Sequence, residues 1–108
     1  MHAVIFEVWP AEGRADDYFG LAMALKSELE KIDGFISVER FESVTAPGKF
    51  LSLSFWRDEA AIQNWYGHDG HAGAQSQGRS GIFKDYRIRV ASVIRDYDMA
   101  AGRPAIKD

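Results

Sequence analysis

Trp65, His68, Ala72 and Gln75 recur at steps of three and four residues, and His71 adjoins Ala72 on the same side. Such spacing sets side chains along one flank of a helix. Two of the chain's three histidines fall in this stretch. An imidazole titrates near neutral pH and can take or give a proton. Trp65 would supply a flat apolar wall and Gln75 a neutral hydrogen-bonding tip. Together they suit an aromatic ligand carrying acidic hydroxyls, held by Trp65 and Gln75, with His71 or His68 as the base. Gly67, Gly70 and Gly73 interleave with the histidines and would let a ligand approach the backbone closely. The competing reading is a solvent-exposed helix end with Trp65 as plain core.

Other chemistries fit the residues less well. A catalytic zinc takes three protein ligands, whereas His68 and His71 supply two nitrogens and His2 is the only other histidine. No metal is expected. The glycines of 67–73 follow a helical pattern rather than a strand, so they do not form a dinucleotide fingerprint. Ser80 lies in Gly78-Arg79-Ser80-Gly81, which lacks the Gly-x-Ser-x-Gly spacing of a nucleophile elbow. With no cysteine there is no thiolate nucleophile, disulfide frame or Cys-ligated metal site. Arg87, Arg89 and Arg95 repeat along one strand face and could meet an anionic substrate, but a charged face interlocking with acidic groups or water is the stronger reading.

The elements that must position the candidate residues can be read from periodicity. Val4, Ile5, Phe6, Val8 and Trp9 form a β-branched and aromatic run that Pro10 stops. Tyr18, Leu21, Leu25, Leu29 and Ile32 then recur at helical steps, and Gly34 is expected to end that helix. Residues 35–44 and 50–56 read as a hairpin about the turn Ala46-Pro47-Gly48, with Leu51, Leu53 and Phe55 on one face and Ser52 and Ser54 opposite. Asp58 can cap a second helix with Ala61, Ile62 and Trp65 inward. The glycines from Gly67 onward predict a break, followed by a shorter helical segment to about residue 77. Alternation over 86–94 marks the last strand.

The order is β-α-β-β-α-β, an α+β ferredoxin-like unit in which two helices cover one face of a four-stranded antiparallel sheet. A single domain over residues 1–97 is expected, with 98–108 as a flexible C-terminal tail. The other sheet face has nothing in the chain to cover it, so a homodimer through that face is expected.

Composition narrows the partners. The chain has 108 residues, 46 % hydrophobic and 27 % charged, ordinary values for one globular domain. Thirteen Lys+Arg against sixteen Asp+Glu give a net charge of −3, and the basic residues are scattered, so no nucleic-acid partner is expected. The first nine residues lack a basic leader region and are interrupted by Glu7, and no apolar run is long enough to span a membrane. We expect a cytoplasmic protein with no membrane partner.

Gly34-Phe35, Val38-Glu39-Arg40-Phe41, Gly48-Lys49-Phe50 through Trp56 and Asp58-Glu59-Ala60 stand in that order along the chain. They are followed by Trp65, His68, His71, Gln75 and Gly78, then Asp85-Tyr86-Arg87-Ile88 and Val90. Together, in this order, these residues resemble the antibiotic biosynthesis monooxygenase (ABM) family. The resemblance implies a dimeric α/β barrel of two ferredoxin-like sheets packed face to face, each subunit keeping a pocket between its helices and its sheet. One branch of the family comprises cofactor-independent oxygenases of polyphenols and anthrones or naphthols, in which the deprotonated substrate reduces dioxygen directly. Another branch degrades haem, using an Asn on strand one, a Trp in helix two and a haem-ligating His ten residues later. Here the tenth residue after Trp65 is Gln75, and strand one offers Glu7 but no Asn. The resemblance therefore implies an oxidoreductase with no cofactor, oxidising a small aromatic molecule of polyphenol, anthrone or quinol type. The alternatives are a non-catalytic small-molecule binding or stress-associated module of the same fold and, third, a haem-binding or haem-degrading monooxygenase.

Overall fold

The computed structural model describes residues 1–68 and 81–102. Six elements follow in the order β1 (His2–Pro10), α1 (Ala15–Glu30), β2 (Phe35–Glu42), β3 (Phe50–Trp56), α2 (Glu59–Tyr66) and β4 (Phe83–Ser92). The four strands form one sheet in the order β2-β3-β1-β4, and every neighbouring pair is antiparallel. This is the expected ferredoxin-like arrangement, with the first and third strands in the middle.

Register decides which side chains meet the helices. Val4 stands opposite Ser54 and Phe6 opposite Ser52 across β1 and β3. Val38 and Arg40 of β2 face the same two serines from the other side. The residues of this layer line the space beneath α1 and α2. The core sits there: Leu29 of α1, Trp56 of β3 and Ala61, Ile62 and Trp65 of α2 form one buried cluster, while Val8, Tyr18 and Ile82 form a second. The serine side of β3 thus faces the helices, and Leu51, Leu53 and Phe55 lie on the side that neither α1 nor α2 covers, where Ile5 stands between Leu53 of β3 and Arg89 of β4. Pattern alone assigns a packed face to leucine and phenylalanine; here both faces of the strand are needed, one for a helix layer and a cavity, the other for the open face.

Several boundaries move for identifiable reasons. Helix α1 stops at Glu30 with Lys31 as its cap, and Gly34 lies beyond the end instead of at it. There φ is +92°, and a Cβ would meet that of Ala61 at 2.7 Å. Gly34 therefore turns the chain into β2 against the start of α2, and its carbonyl accepts from Arg57 N at 2.7 Å. Strand β4 runs from Phe83 to Ser92 rather than over 86–94 because it pairs along all of β1, from Pro10 opposite Phe83 to His2 opposite Ser92. The cap on α2 is as expected: the Asp58 carboxylate accepts from Ala61 N at 2.9 Å. The helix ends at Tyr66 with Gly67 as cap, which is the break that the glycines predict. The shorter segment expected to follow lies outside the described residues.

At the C-terminal end, Asp98 to Gly102 close a turn through Gly102 N and the Asp98 carbonyl, 2.8 Å apart. No helix among the described residues is long and apolar enough to cross a membrane.

Candidate functional site

A cavity of about 370 Å³ opens between the helices and the sheet. From α1 it is lined by Tyr18, Leu21, Ala22, Leu25 and Leu29, which follow one another at helical steps. From α2 come Ile62, Trp65 and Tyr66. Its floor is the inward layer of the sheet, including Val4, Phe6, Val38, Arg40, Ser52, Ser54 and Trp56, and Tyr86 and Ile88 of β4 flank it half-exposed. The wall is mostly apolar with a few polar groups set into it, the usual make-up of a small-molecule site.

Trp65 is in this wall, 7 % exposed and also part of the core cluster. Its two sequence readings are thus both descriptions of one position: core on one side, cavity wall on the other. His68 lies one residue past the helix cap, its backbone N–H donating to the Trp65 carbonyl at 3.0 Å. The imidazole stacks against the indole with ring centres 5.6 Å apart and planes 24° from parallel. Its Nε2 is 2.7 Å from Glu28 Oε2 on α1. This bond, ahead of the Lys31 ammonium, holds the Glu28 carboxyl below its ordinary value. His68 is therefore beside the cavity wall but does not itself line the cavity. His71 and Gln75 lie outside the described residues. Among the described residues, no group of three or more His, Cys, Asp or Glu side chains is placed to hold a metal ion.

Polar lining groups were not singled out by residue type. Ser54 is buried and its Oγ accepts from the Trp56 indole N–H at 2.9 Å, which orients that ring. Tyr18 reads as one apolar member of a helical stripe, yet it brings a buried hydroxyl to the residues around the cavity. Burial pushes its pKa up, and the nearby Arg40 guanidinium opposes that shift. The alternation Val38, Arg40 was the available signal for Arg40, since it puts a cation on the same strand face as a core valine. Of the three arginines, Arg89 does interlock with an acid: it pairs with Glu7 on the open face, and Glu7 also binds Lys49. Both cations hold the Glu7 carboxyl below its usual range.

With this geometry in view, the likeness to known proteins can be placed. A family model described as antibiotic biosynthesis monooxygenase matches residues 1–77. The chain belongs to the antibiotic biosynthesis monooxygenase family. Within the ABM family, it is 46 % identical over 93 residues to a protein of Pyricularia oryzae named "Jasmonate monooxygenase ABM", covering 86 % of this chain but 43 % of that protein. The chain therefore spans less than half the length of this relative. It is 33 % identical over 94 residues to YqjZ, an uncharacterized protein of Bacillus subtilis, covering 87 % of this chain and 80 % of the other. Among solved structures, Rv0793 of Mycobacterium tuberculosis superposes with a TM-score of 0.80 at 18 % identity, over 90 % of this chain and 98 % of that one. At such identity the likeness speaks for the fold alone.

Proposed function

We propose that this ABM protein is a monooxygenase that oxidises a small, mostly apolar organic molecule held between its helices and its sheet. The observation that carries the reading is the 370 Å³ cavity with Trp65 in its wall, in a chain of this family. In the finer form of the proposal the substrate is a polyphenol, anthrone or quinol, and no cofactor takes part. A histidine, His71 or His68, removes a proton from the bound substrate, and the resulting anion gives its electrons to dioxygen. Where a CH₂ group becomes a carbonyl, one oxygen atom stays in the product and the other leaves as water, so the substrate supplies all the electrons. Trp65 and Gln75 hold the ring. A Glu28 carboxylate accepting from Nε2–H would leave Nδ1 of His68 as a proton acceptor, and since His68 stands beside the cavity wall without lining it, its proton transfer would run through a water. The protein works as a cytoplasmic homodimer.

The relative named for jasmonate supports monooxygenation and adds jasmonate to the substrates to be tried. Oxygen uptake with anthrone, hydroxynaphthalene and jasmonate, in buffer free of metal, flavin and nicotinamide, tests the proposal. Uptake with one of them supports it. Tight binding with no turnover by any would favour the non-catalytic binding module, and a stoichiometric haemin complex would favour the haem branch.

A further inference from the structure

Two polar atoms beside the cavity are buried with no partner at hydrogen-bonding geometry, the Tyr18 hydroxyl and Arg40 Nε, and the Arg40 guanidinium is close enough to that hydroxyl to oppose the rise in its pKa. Both residues line the cavity. Tyr18 comes down from α1 and is only 3 % exposed, while Arg40 rises from β2 on the face it shares with Ser52. Among the described residues, no carboxylate forms an ion pair with Arg40. The acids nearest in sequence are otherwise disposed: Glu39 stands opposite Leu53 on the other face, and Glu42 accepts from Gly48 N. Asp85, the acidic residue of the lining, accepts from Tyr86 N, and Lys84 beside it brings a second cation to the rim.

Folded proteins seldom leave buried donors unpaired, and Arg40, half-buried in the cavity lining, has no carboxylate partner among the described residues. Such a pair is stable in a cavity when an entering ligand completes it. We infer that Tyr18 and Arg40 form an anion-binding end of the cavity, which receives the carboxylate of an otherwise apolar small-molecule acid. The inference rests on the cavity being the substrate site. A guanidinium presents donors in a planar fork that fits the two oxygens of a carboxylate. The tyrosine adds a third donor, since burial keeps its hydroxyl protonated. A single-oxygen anion would leave part of this set unused. The apolar remainder of the ligand would lie against Phe6, Leu25 and Trp65.

The test is calorimetric binding of 1-naphthaleneacetate and of its methyl ester, which differ in charge but share the apolar body. The acid should bind at least about 10-fold more tightly than the ester, the order expected for hydrogen bonds to a charged group. Arg40→Met should bring the two probes to equal affinity by weakening the acid alone, and Tyr18→Phe should weaken the acid with little effect on the ester. Arg40→Lys keeps the charge without the fork and should fall between. Thermal melts of each unliganded variant establish that it is folded. Should Arg40→Met not fold, the parent's acid-to-ester ratio and Arg40→Lys still decide. Equal affinity for acid and ester in the parent, no binding of either at millimolar concentration, or an acid preference that survives in folded Arg40→Met overturns the inference. Acid preference without oxygen uptake on any substrate would sink the monooxygenase proposal and leave the anion site standing; uptake without acid preference would do the reverse.

Discussion

Nε2 of His68 lies 2.7 Å from Oε2 of Glu28, so a residue just past the end of α2 is tied to the last turn of α1. The tie and the adjacent Lys31 hold the Glu28 carboxyl below the ordinary 4.5. A carboxyl lowered by folding contributes stability that is fully present above its unfolded value and is lost as pH falls through the folded one. Carboxyl ¹³C titration by NMR should place the Glu28 midpoint below 4.5 and move it up in His68→Ala. A midpoint that does not respond to His68→Ala would mean the contact is not made in solution.

Gly34 offers a sharper test of packing. Any side chain there must hold φ near +92° and place its Cβ 2.7 Å from that of Ala61, at the start of the helix that carries Trp65. Gly34→Ala should lower stability by roughly 1 to 3 kcal/mol from backbone strain, with a further cost from the clash. Urea unfolding measures it. A neutral result would place Gly34 in an ordinary conformation.

How far the sequence reveals this molecule depends on the kind of signal. Alternation and helical steps are local, so the element order, the Asp58 cap and the break at Gly67 were legible. The faces of β3 were not, because Leu51, Leu53 and Phe55 look like core to a rule that assumes one apolar face is covered by helices. Arg40 and Tyr18 were missed for a related reason: each has the right period for its element, and only the meeting of α1 with β2 brings the two residues together at one cavity. His68 and Trp65 were legible as neighbours, although their contact is a stack beyond the helix end and not a step along it. Glu28, forty residues away, carried no sequence signal for the pairing.

Trp65 should divide stability from binding. Its ring is both core and wall, so Trp65→Ala should destabilise by about 3 to 5 kcal/mol. Trp65→Phe keeps a ring and should cost less while still weakening ligand binding. Parallel chemical unfolding and ligand titration separate the two effects; unchanged ligand affinity in a folded Trp65→Phe would remove the indole from the site.

The open face predicts assembly. Ile5, Leu51, Leu53 and Phe55 lie there, and Glu7 has two cationic partners, Lys49 and Arg89, to offset its charge when the face is covered. Light scattering at micromolar concentration should give twice the 12.1 kDa chain mass. Leu53→Asp should shift the population toward monomer. A monomeric parent would contradict the homodimer.

The most direct measurement is oxygen uptake by the parent, His68→Ala, His71→Ala and Trp65→Phe with the substrate that the parent oxidises fastest, in metal-free buffer. A histidine base predicts a rate that rises with pH as the imidazole becomes neutral, and a loss on the order of 10² to 10⁴ in one histidine variant. One atom of ¹⁸O from labelled dioxygen should appear in the product. Full activity in both histidine variants would contradict the assignment of the base, and no turnover by the folded parent on any of the three substrate types would contradict monooxygenation of the proposed substrates.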